Sequence, residues 1–282
     1  MWDRRELLFA AVVFAALYYR VAAEGKTPLD MAVNAVDGLY QGCREKAMRK
    51  VVHSDLLGQE LNRSKEFQEA WSAGTKCSKL NPGGRKEHAT ALYVYANGNE
   101  PFIKTFNREV ETMGVNLTTY ENNFHFKSFH FLLMDSMKRQ ETGNCKAVYV
   151  FPETEYTAEK GSKVRLGRFI IADLSFDELS KSEDLDGQVV LNITSCFFAN
   201  LVESFCEEVN SNVVLLSPSE VFTVESINYR VMGEFNFTEI ILNHTALESK
   251  HQCSILSRSP ADVSTQWLVL VLAALSLFFY TR

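Results

Sequence analysis

The chain has 282 residues, a formal net charge of −6 at pH 7 and 12% aromatic residues. Its lysines and arginines are scattered with no basic stripe, which argues against a nucleic-acid-binding protein. With 46% hydrophobic residues and no repeats or low-complexity segments, it is long enough to bury a core of its own, about one domain.

At the N-terminus, Arg4 and Arg5 precede an apolar run from Leu7 to Tyr18, and Val21, Ala22 and Ala23 offer small residues for cleavage before Glu24. This pattern predicts a secretory signal peptide over 1–23. An N-terminal membrane anchor is the competing reading, but the run is shorter than the ~20 residues that span a bilayer. An ectodomain over 24–256 follows, mainly helical over 24–140 and mainly β over 145–253. Leu29, Ala32, Val33 and Val36 recur at helical spacing between Pro28 and Gly38. Cys43 and a segment of mixed charge lead to Glu60. Ser64 is placed to cap a helix in which Phe67 and Trp71 share a face. Asn81, Pro82, Gly83 and Gly84 form a loop.

A helix resumes at His88, with Ala91, Leu92 and Tyr95 as its buried stripe, and Asn97-Gly98 turns the chain. Pro101 opens another helix in which Phe102, Phe106 and Val110 face one way, ending near Gly114. From Tyr120 to Leu133 the chain is aromatic on more than one face, which predicts one central, buried helix. His125 and His130 lack the i,i+4 spacing of metal ligands and have no acidic partner in sequence. They are expected to pack or hydrogen-bond, and no metal site is expected.

After Cys145 the character changes. Val148 to Val150, Val164 to Ile171, Val189 to Ile193, Val213 to Leu216 and Ile240 to Leu242 read as strands separated by turn residues. Ala199 to Glu208 is a loop or a short helix. Helices first and strands later predict an α+β fold. At the far end, Trp267 to Tyr280 is apolar and is preceded by a polar stretch over 257–266. Residues 257–282 read as the spacer and hydrophobic tail of a GPI-attachment signal, with Ser259 the preferred attachment residue and Ser257 or Ala261 the alternatives. A short transmembrane tail or a secreted form are the other readings.

Cys43, Cys77, Cys145, Cys196, Cys206 and Cys253 include no CxxC pair, so a secreted chain would use them in disulfides; six cysteines allow 15 pairings. Sequons at Asn62, Asn116, Asn192, Asn236 and Asn243 fit a glycosylated surface protein.

The ordered set His88-Ala-x-Ala-Leu-x-x-Tyr95, Phe106-Asn107 with Val110 and Gly114, Tyr120 with Phe124-x-Phe-Lys-x-x-His130-x-Leu-Leu133, Val148-Tyr149, Gly161-x-x-Val-Arg-x-Gly-x-Phe169, Thr194-x-Cys196 and Val214-Leu-x-x-Pro-x-Glu-Val-Phe222 resembles the vertebrate ecto-ADP-ribosyltransferases, the NAD(P)+–protein-arginine mono-ADP-ribosyltransferases. The resemblance spans nearly the whole mature chain. It implies an N-terminal helical part packed on a core of two crossed β-sheets that clasp NAD, and transfer of ADP-ribose to arginines of surface or extracellular proteins. It also implies disulfides Cys43–Cys253 and Cys145–Cys196, leaving Cys77 and Cys206 free to pair with each other. The implied location is the extracellular face of the plasma membrane.

That chemistry needs a cation on the pyrophosphate, for which a guanidinium is best suited. It also needs a serine to orient the nicotinamide ribose and a Glu-x-Glu pair at the oxocarbenium-like centre and the acceptor, a logic that parallels glycosidases. Carried onto this sequence, the arginine position is Val150 and the serine position is Ile171, with Ala172 beside it. The glutamate positions are Ser211 and Val213. Glu207 and Glu208, with Glu203 further upstream, are the fallback carboxylates. Arg165 matches an arginine of the family and reads as structural, with Arg168 facing the opposite way. These substitutions predict weak or lost transfer. The alternative is a non-enzymatic surface recognition protein on the same fold.

Overall fold

In the computed structural model, residues 26–77, 84–201, 212–233 and 235–257 are described. The expected signal peptide, the attachment residues Ser259 and Ala261, Cys206 and the positions Glu203, Glu207, Glu208 and Ser211 lie outside them.

The helical part begins with α1 (Arg44–Met48), which runs into a π-helical turn (Arg49–His53), followed by α2 (Leu56–Arg63) and α3 (Lys65–Cys77). Then come α4 (Lys86–Asn97), α5 (Glu100–Thr112), α6 (Leu117–Asn123) and α7 (Lys127–Gln140). Local chemistry sets several boundaries. Ser64 Oγ accepts from Phe67 N at 3.2 Å at the start of α3, and Asn99 Oδ1 accepts from Phe102 N at 2.9 Å before α5; both satisfy orphan amides of a first turn. The expected apolar stripe Phe102, Phe106 and Val110 is buried. Helix α7 is buried from Ser128 through Met137. The rings of Phe67, Phe102, Phe106 and Phe129 interlock there, with Phe106 and Phe129 centroids 4.6 Å apart.

Two helical expectations are corrected. Residues 29–42 form no helix; Ala32 and Tyr40 have φ of 43° and 57°, and Val33 is 55% exposed. Leu29 and Val36 are buried as their spacing suggested, but in a strap held by long-range bonds. Buried Asp37 takes Arg165 Nη1 at 2.7 Å and the backbone N–H of Lys250 at 2.8 Å. The stretch from Tyr120 to Leu133 is two helices, broken at Phe124–Phe126. Buried Glu60 of α2 accepts the N–H groups of Lys127 and Ser128, each at 2.9 Å, and so caps a new N-terminus at α7. No proline or glycine marks that break, because the cap comes from a distant helix.

Strands β1 (Lys26–Pro28) and β3 (Glu155–Thr157) pair in parallel. The main sheet is built from β2 (Lys146–Val150), β4 (Lys163–Arg165), β5 (Ile170–Asp173), β6 (Val189–Ser195), β7 (Phe198–Asn200), β8 (Val213–Leu216), β9 (Glu220–Met232) and β10 (Phe235–Leu247). Its order is β4-β9-β10-β6-β2-β5-β8-β7. The fold is therefore α+β, as expected. The strand pairing is one continuous ladder, bent over a shared core that includes Val148, Leu191, Phe222, Leu242 and Val214. The expected strand from Val164 to Ile171 is interrupted at Gly167, whose φ of 71° no strand residue adopts. Helix α8 (Phe176–Ser182) covers the outer face, with Phe176 against Tyr149 and Phe237.

Cys43–Cys253 and Cys145–Cys196 are bridged. Cys77, at the end of α3, is a free cysteine among the described residues; Cys206, its suggested partner, lies outside them. Among the described residues no helix is long and apolar enough to cross a membrane.

Candidate functional site

The substituted positions converge on three neighbouring strands, β2, β5 and β8. Asp173 pairs with Tyr149 on one side and Val213 on the other, and Ile171 pairs with Leu215. Alternation puts Ile171 and Val213 on one face of the sheet and Val150 on the other. Val150, at the end of β2, is 2% exposed and packs into the sheet core beside Val148. Ile171 is 38% exposed. Val213 is half-buried and packs against the helical core.

Val150 and Ile171, at their strand ends, both border a cleft of about 230 Å3, with Ile103, Asn107, Phe151, Tyr156 and Arg168 around it. An adjoining hollow of about 260 Å3 shares Ile103, Asn107 and Arg168 and adds Glu100, Lys104, Arg108 and Glu111. Each is smaller than the ~300–1,000 Å3 of an ordinary ligand pocket; together they form one open trough under α5.

The polar groups of the trough are mostly committed. Tyr95 donates its hydroxyl to Phe169 O at 2.5 Å and accepts from Asn107 Nδ2 at 2.9 Å. Burial pushes its hydroxyl pKa up. Asn107 Oδ1 is buried with no partner. Arg168 Nε lies 2.7 Å from Glu111 Oε1, an ion pair by distance whose angle falls outside hydrogen-bond geometry. Burial raises the Glu111 pKa despite that arginine. Burial opposes the Arg168 charge, but Tyr156 and Glu111 outweigh it and raise its pKa. Lys104 is tied to Glu100 at 2.5 Å and reaches Glu153 at 3.6 Å.

These residues do not fit a dinucleotide in the way the resemblance requires. The position expected to grip a pyrophosphate is a valine inside the core. The position expected to offer a hydroxyl is an isoleucine facing the cleft. Arg168, the one guanidinium lining the inner cleft among the described residues, is already paired with Glu111. Arg165 and Arg168 do face apart. Arg165 is buried on Asp37, while Arg168 turns to the cleft after Gly167. Sequence reasoning missed the Arg168–Glu111 pair, which joins the β4–β5 connection to α5 and has no local signature. It also passed over Asp173, directly opposite Val213. Burial, Glu178 and Glu183 raise that carboxyl's pKa.

The histidines hold structure. His130 bonds Tyr40 Oη at 2.8 Å and Val36 O at 3.0 Å, and burial lowers its pKa to about 4. His125 sits 3.2 Å from Glu109. Among the described residues one group has potential metal-ligand atoms close together, Cys196, Glu220 and His244. Cys196 is committed to a disulfide there, and Glu220 accepts from Ser195 Oγ, Cys196 N and His244 Nδ1 at 2.6–2.7 Å. Of the sequons, Asn62 and Asn116 are exposed. Asn192 and Asn243 donate their Nδ2 groups to Glu239 and Glu225, and Asn236 is half-buried in β10.

Residues 29–249 match the family model described as NAD:arginine ADP-ribosyltransferase. The chain is 30% identical over 225 residues to rat ecto-ADP-ribosyltransferase 5, covering 74% of this chain and 70% of that protein. It is 28% identical over 262 residues to the mouse GPI-linked NAD(P)(+)–arginine ADP-ribosyltransferase 1, covering 86% and 78%. The crystal structure of the eukaryotic mono-ADP-ribosyltransferase ART2.2 superposes with a TM-score of 0.64 at 27% identity, covering 80% of this chain and 98% of that one. A glutamate-substituted variant of ART2.2 has been solved in complex with NAD.

Proposed function

The chain belongs to the NAD:arginine ADP-ribosyltransferase family, and from that premise we propose that it is a cell-surface member whose transfer of ADP-ribose from NAD to protein arginine is weak or lost. The observation that carries this reading is that aliphatic Val150 and Ile171 border the cleft where the resemblance requires an arginine and a serine. A phosphate-holding guanidinium contributes about 1.5–3 kcal/mol through charge-assisted hydrogen bonds. Neither an aliphatic side chain nor the Glu111-bound Arg168 replaces it. Loss of a group that stabilises transition-state charge costs on the order of 10²–10³ in rate, and Val213 stands where such a carboxylate is expected. Glu207 and Glu208 are the remaining candidates for that role; on this reading alanine at either leaves NAD turnover unchanged.

The surface location draws on the ecto- and GPI-linked relatives together with the terminal segments, a signal peptide over 1–23 and a GPI signal over 257–282 with attachment at Ser259. Phosphatidylinositol-specific phospholipase should release the protein from cells, and retention after treatment contradicts the anchor. Any targets would be arginines of surface or extracellular proteins.

The test of activity is incubation of the purified ectodomain with labelled NAD and agmatine. Label transferred to agmatine at a rate within about tenfold of an active family member contradicts the proposal. A second reading, a recognition protein on this fold, is favoured by the apolar cleft wall and by the unpartnered Asn107 Oδ1. Calorimetry with NAD separates the two: measurable heat supports retained nucleotide binding, and its absence supports a repurposed cleft.

A further inference from the structure

A larger recess shares no residue with the cleft. It holds about 450 Å3 between α1, the π-helical turn, the start of α4 and the end of α7, and its walls carry Arg44, Arg49, His53, Arg85, Asp135 and Arg139, with Glu45 beside them. Four arginines thus face two carboxylates, in a chain whose net charge is −6. Asp135 is buried and already saturated. Its Oδ1 takes Arg44 Nε, and its Oδ2 takes His88 Nε2 at 2.7 Å and Arg139 Nε at 3.0 Å. One carboxylate therefore fixes two guanidiniums by their Nε edges. Arg44 Nη2 is left buried with no acceptor. Arg49 and Arg85 have no carboxylate partner among the described residues.

We propose that this recess binds a phosphate monoester, with Arg44, Arg49, Arg85 and Arg139 as its contacts. The planar guanidinium fork matches phosphate oxygens in pairs, which a lysine ammonium does not. A phosphate monoester carries about −1.5 to −2 charges near neutral pH, the charge that two surplus guanidiniums neutralise. A sulfate monoester carries a single charge and meets the same donors with less attraction. Recessed walls strengthen the interaction relative to an open surface, where water screens it. Asp135 then serves as the positioning residue that holds Arg44 and Arg139 apart before the ligand arrives.

The test is calorimetry on the whole ectodomain with glycerol 3-phosphate, inorganic phosphate and N-acetylglucosamine 6-sulfate, at ionic strength held constant with chloride. Saturable one-to-one binding is expected, with glycerol 3-phosphate tighter than the sulfate ester. Arg49→Ala and Arg85→Ala should each weaken it about tenfold or more, and Arg49→Lys, which keeps the charge and loses the fork, should also weaken it. Lys163→Ala, at the exposed first residue of β4, should not. Equal melting temperatures for Arg49→Ala and the parent show that the fold is intact. Absence of saturable phosphate binding overturns the proposal. So does equal weakening by Lys163→Ala, or tighter binding of the sulfate ester than of the phosphate ester.

Discussion

The Asp37–Arg165 pair should be the most costly single contact to remove. Both side chains are essentially inaccessible, at 0% and 1% exposure, with Arg165 Nη1 2.7 Å from Asp37 Oδ2. Arg165 also donates to Met31 O at 2.8 Å and Ala32 O at 3.1 Å. Asp37 Oδ1 accepts from Lys250 N, His251 N and His251 Nδ1. The pair thus binds the strap over 29–42 to β4 and to the segment before Cys253. Asp37→Ala leaves a guanidinium buried without its counter-charge, a change that costs about 3–5 kcal/mol. At about 2–4 °C per kcal/mol for a domain of this size, the melting temperature should fall by roughly 6–20 °C. Asp37→Leu combined with Arg165→Met removes both charges and should recover most of that loss. Thermal unfolding followed by circular dichroism at pH 7 measures all three. The pH dependence has a definite sign. Burial alone would raise the Asp37 pKa, but hydrogen bonds from His251 and Arg165 outweigh it and hold the carboxyl well below its usual 3.8. A depressed carboxyl pKa stabilises the fold above the unfolded value, and that contribution is lost as pH falls through the folded one. The gap between parent and Asp37→Ala should therefore persist from pH 7 to 5 and close in stronger acid. A single variant melting within about 2 °C of the parent, or a double variant as unstable as both singles added, refutes this reasoning.

Other expectations concern the same framework. Gly167→Ala should cost about 1–3 kcal/mol, because φ is 71° and the new Cβ would lie 2.6 Å from Ala32 Cβ; unchanged urea unfolding contradicts the strap's close approach. Asp135 is held to about 2 because hydrogen bonds from His88 and Arg44 outweigh the effect of burial. Its contribution of about 2 kcal/mol should be complete above pH 5 and vanish between about pH 4 and 2. A parent–Asp135→Asn difference that does not shrink with acid contradicts that. Cys43–Cys253 closes a sequence separation of 210 and Cys145–Cys196 one of 51. Chain entropy then predicts losses of about 5 and 4 kcal/mol on replacement of each pair by serine; a larger loss at Cys145–Cys196 goes against the entropic account.

The parts of the fold legible in sequence were those whose signals are local. Ser64, Asn97-Gly98 and the Phe102, Phe106, Val110 stripe carry their own caps and period. The strap from Leu29 to Val36 misleads because it is held in place by the Asp37–Arg165 pair, whose partners are far apart in sequence. The break at Phe124–Phe126 is invisible because Glu60 supplies the cap. The long β9–β10 hairpin shows in sequence only at Ile240–Leu242, because its outer half leaves Tyr229 and Val231 exposed at 71% and 68% and so lacks an in–out pattern. At the site, Val150, Ile171 and Val213 could be named from motif order alone. The commitment of Arg168 to Glu111, and the placement of Val150 in the sheet core, required the packing.

The most direct measurement is side-by-side transfer of labelled ADP-ribose from NAD to agmatine by this ectodomain and by the mouse GPI-linked arginine ADP-ribosyltransferase 1 at matched concentrations. With Val150, Ile171 and Val213 as found, the rate should lie at least about 10²–10³ below the mouse enzyme, at the level of the no-protein control. A rate within about tenfold of the mouse enzyme, well short of the loss expected from even one missing group, would contradict the account.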